Sequence, residues 1–119
     1  FCIEANPKIY GTKYLTHTID SIELSKKINN KYLKVNLDLG TIISNNENID
    51  FLLKNYLQYF AHAQISSPHL INLLTYKKHI KIFLNKLSKY NFKKVVSIET
   101  LRQNKNNLNY IKNIMKLIK

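Results

Sequence analysis

With only Gly11 and Gly40 along 119 residues, the chain can spell neither Gly-x-Gly-x-x-Gly nor Gly-x-x-x-x-Gly-Lys-[Ser/Thr]. A dinucleotide fingerprint and a phosphate loop are therefore excluded. One cysteine, Cys2, can form neither an internal disulfide nor a thiolate zinc site, and points to a reducing compartment, by default the cytoplasm. No apolar run approaches the roughly 18–20 residues of a membrane helix, and no basic segment leads into an apolar one at the start, as a signal peptide requires. The single arginine, Arg102, stands against eighteen lysines, so the residue best suited to bidentate phosphate and base contacts is nearly missing. The formal charge of +12 is spread along the chain, in pairs such as Lys26-Lys27, Lys77-Lys78 and Lys93-Lys94, with no dense tract. Scattered charge of this kind forms a solvated surface and argues against nucleic acid as a partner.

What the chain does contain is enough apolar residue, 45%, for one core, and a length that suits one domain or a piece of one. Residues 1–5 form a short apolar strand interrupted by Glu4, and Pro7 and Gly11 mark the loop after it. Leu15, Ile19, Ile22 and Ile28 fit one helical face, with Thr16 or Thr18 as N-cap and Lys26-Lys27 in the last turn. Residues 33–39 alternate with period two and stop at Gly40, a second strand. Asn45 or Asn46 caps a helix carrying Ile49, Leu52, Leu53, Tyr56 and Leu57. Residues 59–65 make a third strand and Ser66-Ser67-Pro68 a turn; Ile80, Phe83, Leu84 and Leu87 line a third helix. Residues 94–99 are a β-branched fourth strand, and Leu108, Ile111, Met115 and Ile118 line the last helix. Cys2, Tyr56, Tyr59, Phe60 and Phe83 are expected in the core. The order β-α-β-α-β-α-β-α selects an α/β fold with parallel strands, four strands and four helices.

Of seven acidic residues, Asp20, Glu23, Glu47 and Asp50 fall in or near early helical turns, where a structural role suffices. Glu4, Asp38 and Glu99 instead sit in or at the carboxyl end of apolar strands, where an isolated carboxylate is costly unless paired or metal-bound. The third strand offers Gln64, after His62. These positions recur at separations close to one strand-helix unit, so a parallel sheet delivers all four side chains to one edge. Carboxylate and amide oxygens form a hard ligand set suited to Mg²⁺ or Mn²⁺. The competing reading is that each carboxylate caps a helix or pairs with a lysine.

The segments Ile3-Glu4-Ala5-Asn6-Pro7, Leu37-Asp38-Leu39-Gly40-Thr41, His62-Ala63-Gln64-Ile65-Ser66 and Val96-Ser97-Ile98-Glu99 resemble, in order, the second half of sugar phosphate isomerase/epimerases of the xylose-isomerase-like TIM-barrel superfamily. The resemblance implies a divalent metal, Mn²⁺ or Mg²⁺, held by Glu4, Asp38, Gln64 and Glu99. It implies that Glu4 and Glu99 are also the acid/base pair, moving a proton beside a sugar carbonyl through an enediolate, and that His62 neighbours the site; Asn6 and Ser66, beside the proposed ligands, are expected to contact substrate, the competing reading being loop capping. Thr41 stands where ketose 3-epimerases often carry a His, and no Arg follows Gln64 closely. His17, His62, His69 and His79 do not match the spacing of a deoxyribonuclease-IV-type zinc cluster.

A closed barrel of this type has eight strands and about 250 residues. Residues 1–119 are thus expected to be the C-terminal half of a barrel domain, with the N-terminal half lying outside them. Such a half exposes its inner face and two edges, so its partners are expected to be a small sugar together with the missing half-barrel or a second copy. The alternatives from other classes are a non-catalytic basic module that binds polyanions, and a degenerate half-barrel with an assembly role.

Overall fold

The computed structural model describes residues 1–102 and 107–118. Four parallel strands, β1 (Cys2–Ile3), β2 (Lys34–Asp38), β3 (Phe60–Ile65) and β4 (Val95–Ile98), form one sheet in the order β1-β2-β3-β4. Sequence order and spatial order coincide, as in successive units of a (β/α) barrel. The helices are α1 (Thr18–Ile28), α2 (Leu39–Asn45), α3 (Ile49–Tyr56), α4 (Lys77–Lys89) and α5 (Asn107–Ile118). No helix among the described residues is long and apolar enough to cross a membrane.

The two sheet faces differ sharply. Val35, Leu37, Ala63 and Ile65 alternate onto one face and are fully buried with Ile22 of α1, Leu53 of α3, Ile80 and Phe83 of α4 and Ile114 of α5. The other face carries Lys34, Asn36 and Asp38 from β2, His62 and Gln64 from β3, and Val95 and Ser97 from β4. Its rim is open, with Cys2 exposed and Val95 68% exposed.

A bulge makes that polar face possible. Val35 pairs with Phe60, but Asn36 pairs with His62, so Ala61 is skipped. Because strand side chains alternate, the extra residue turns His62 and Gln64 onto the face of Asp38, whereas an unbroken register would send them to the helical side.

The structure corrects several sequence expectations. Leu15 takes a left-handed backbone (φ 50°) and lies before α1, whose N-cap is His17 rather than Thr16 or Thr18. The α2 helix was not anticipated: it starts directly after Asp38, because the Asp38 side chain accepts from Thr41 N–H and caps it. Asn46 then ends α2 in a left-handed conformation and Asn48 caps α3, giving five α-helices among the described residues instead of four. In α5 the buried residues are Tyr110 and Ile114, while Leu108, Ile111 and Met115 face out. Of the apolar stripe expected from the sequence, Ile118 packs against the core and the other three residues are bare. Cys2, expected in the core, is exposed, since it falls on the open sheet face at an edge strand.

Candidate active site

The carboxyl ends of all four strands reach one edge of the sheet, and a cavity of about 460 Å³ opens there. Its walls include Glu4, Asn6, Asp38, Ser66 and Glu99, with Pro7, Tyr10 and Leu70 as an apolar side. Five positions singled out from sequence therefore line one cavity. Gln64 and His62 join them through hydrogen bonds.

Asp38, 5% exposed, is held by its surroundings. Ser66 Oγ donates to Asp38 Oδ1, Thr41 N–H donates to Oδ2 at 2.7 Å, and Gly40 N–H donates to Ser66 Oγ at 2.8 Å. Thr41 Oγ1 in turn donates to the Ala5 carbonyl at 3.1 Å, tying the end of β1 to α2. Burial pushes the Asp38 carboxyl above its usual range, and the Ser66, Thr41 and Gly40 donors pull against that shift. Asp38 thus also performs the capping role that was its alternative reading.

A second network spans all four strands. Asn36 Nδ2, from a side chain only 5% exposed, donates to Glu4 Oε2 and to Gln64 Oε1, the latter at 2.8 Å. Gln64 Nε2 donates to Glu99 Oε2 at 2.7 Å, and His62 Nδ1 meets Asn36 Oδ1 at 2.7 Å. Charge fixes the direction of every bond. The Glu99 carboxylate only accepts, so the Gln64 amide nitrogen faces it; Gln64 Oε1 then faces Asn36 Nδ2, and Asn36 Oδ1 faces His62, whose Nδ1 carries the proton. Glu4 is exposed at the cavity mouth, yet partial desolvation of its carboxyl raises its pKa. The Asn36 donor opposes that rise, and the Asp38 and Glu99 charges add to it.

Among the described residues, no three His, Cys, Asp or Glu side chains are gathered tightly enough to hold an ion as they stand. The Asn36 and Gln64 amides link Glu4 to Glu99, and both Asp38 oxygens already accept hydrogen bonds. The donor chemistry nonetheless suits a hard divalent cation, since three carboxylates share one cavity and two have pKa values raised by burial, with mutual repulsion adding at Glu4.

Sequence reasoning overlooked Asn36 and Tyr10. The signal for Asn36 was its period-two relation to Asp38, which places both on one strand face. Tyr10 had none, because its position depends on a loop: Tyr10 Oη accepts from His69 N–H at 2.7 Å, and the two rings meet edge to face at 5.1 Å.

No protein-family model and no curated protein matches the chain. Among solved structures, it is similar to the D-psicose 3-epimerase of Clostridium cellulolyticum H10, determined with D-tagatose, at a TM-score of 0.61 and 15% identity. The chain has the fold of a partial TIM-barrel-like unit. The superposition covers 94% of this chain and 39% of the epimerase chain, and at this identity the likeness concerns fold alone.

Proposed function

We propose that this chain carries the metal-side half of an isomerase or epimerase active site that moves a proton next to the carbonyl of a sugar or sugar phosphate. The observation that carries the reading is the meeting of Glu4, Asp38 and Glu99 in one cavity at the carboxyl ends of parallel strands. Glu4 and Glu99 are the two groups placed to exchange protons with a bound substrate: one takes the proton from carbon, and the other returns one. A Mn²⁺ or Mg²⁺ ion, held by Glu4, Asp38, Gln64 and Glu99, would supply Lewis-acid stabilisation of the enediolate oxygens. Pro7, Tyr10 and Leu70 offer an apolar wall for the C–H face of a sugar, and Asn6 and Ser66 offer hydrogen-bonding groups beside it.

Among the described residues lining the cavity none is Lys, Arg or His, so the phosphate of a sugar phosphate would have to be met by the rest of the barrel. The rest of the barrel, from further chain or a second copy, would close the open sheet face over the substrate.

The decisive test is transfer of solvent deuterium into a panel of ketoses and aldoses at the carbon beside the carbonyl. With the full-length protein and Mn²⁺, we expect exchange that Glu99→Gln abolishes without lowering the melting temperature, and Mn²⁺ itself should raise that temperature. Undiminished exchange in the variant would refute the assignment.

A further inference from the structure

The Asn36 side chain touches three members of the site at once. Its amide nitrogen donates to Glu4 Oε2 and Gln64 Oε1, and its oxygen accepts from His62 Nδ1. It is buried to 5% exposure, in the middle of β2, where an apolar residue would ordinarily sit, and a buried amide is tolerated only when its hydrogen-bonding groups are matched. Both N–H groups are matched, and each by an oxygen of a proposed ligand.

We propose that Asn36 is a positioning residue, which sets the orientation of Glu4 and Gln64 toward the cation and substrate while His62 locks the Asn36 amide against flipping. The proposal rests on the function proposed above. A carboxylate and an amide oxygen each keep further lone pairs beyond the one that Asn36 occupies, so Asn36 can hold both oxygens without competing for the metal. Its place is set by the bulge at Ala61, which puts His62 directly opposite it, and by β1 pairing, which ends with Ile3 opposite Val35 and so brings Glu4 alongside. The role assigned to His62 changes accordingly: it acts through Asn36.

The test uses the full-length protein and Asn36→Leu, which keeps the branched shape and removes both donors; Asn36→Ala serves if the leucine variant does not fold. Mn²⁺ affinity, read by calorimetry, should fall about 10- to 100-fold, the usual cost of losing a group that orients a metal ligand. At saturating Mn²⁺, kcat should remain reduced with KM for the sugar little changed, because the loss concerns the aim of Glu4. His62→Ala should produce a weaker version of both effects. In the wild-type NMR spectrum, the Asn36 side-chain amide should shift on Glu4→Gln and on Gln64→Ala, a contact that is read without any turnover. Mn²⁺ binding and kinetics unchanged in Asn36→Leu, in a wild type that binds and turns over, would overturn the positioning role and leave the proposed function standing. A wild type that binds no Mn²⁺ and exchanges no deuterium would overturn both.

Discussion

Gly40 stands where no side chain fits. A Cβ there would lie 2.5 Å from Ser66 Oγ, 3.1 Å from Asp38 Oδ2 and 3.2 Å from the Ser67 carbonyl carbon. Gly40→Ala should therefore lower stability by about 1–3 kcal/mol, the range for overpacking, and displace Ser66 from Asp38. Urea denaturation measures the first effect and loss of Mn²⁺ binding the second. The acidic residues make a separate, signed prediction. Glu4 and Asp38 have folded pKa values above those of the unfolded chain, so the native state holds their protons more tightly and stability falls as pH rises above the ordinary carboxylate range. Asp38→Asn keeps an N-cap and removes the buried charge, so its urea midpoint should drop less than that of the wild type as pH rises from the ordinary aspartate value of 3.8 toward neutrality. Equal slopes would show that burial of Asp38 is compensated elsewhere.

At the level of elements, two polar clusters join helices to each other. Asp50 at the start of α3 accepts from Lys86, Lys89 and Tyr90 around the end of α4, and these partners hold its carboxyl down at about 2. A depressed pKa contributes stability above the ordinary value of 3.8 that is lost as pH falls toward 2. The difference in urea midpoint between wild type and Asp50→Asn should therefore close over that acid window. Glu47 ties α1 to the α2–α3 connection: its Oε1 accepts from Thr18 N–H and Asn45 Nδ2, each at 3.0 Å. Glu47→Ala strands the Thr18 N–H and should cost about 0.5–2 kcal/mol, as loss of a helix cap does, while Glu47→Gln keeps an acceptor and should cost less. Thermal melts of the two variants give the comparison.

Across the whole molecule, the sheet ends in β1 on one side and β4 on the other, each with an outward edge among the described residues. Near the β4 end, Val95 and Val96 are exposed, and α5 presents Leu108, Ile111 and Met115 outward. Open parallel edges beside bare apolar surface favour pairing with another chain segment. Residues 1–119 expressed alone should self-associate in light scattering at micromolar concentration, and Leu108→Lys with Met115→Lys should shift them toward monomer. A monomer before and after the change would remove the pairing argument.

Element types followed from pattern alone: a period-two run in residues 33–39, an apolar stretch in 59–65 ended by Ser66-Ser67-Pro68, 3.6-residue spacing through Ile80, Phe83 and Leu87, and carboxylates recurring once per strand-helix unit. Those regularities are local, and they sufficed for a parallel α/β fold and for gathering Glu4, Asp38 and Glu99 at one edge. Which way side chains face was not local. The bulge at Ala61 that turns Gln64 toward Asp38 arises from pairing with β2, and the α5 face that packs is chosen by contact with the rest of the core. Asn36 became part of the site only because its two neighbouring strands bring acceptors and a donor to one amide, a match made across 32, 28 and 26 residues of chain that no window of sequence contains.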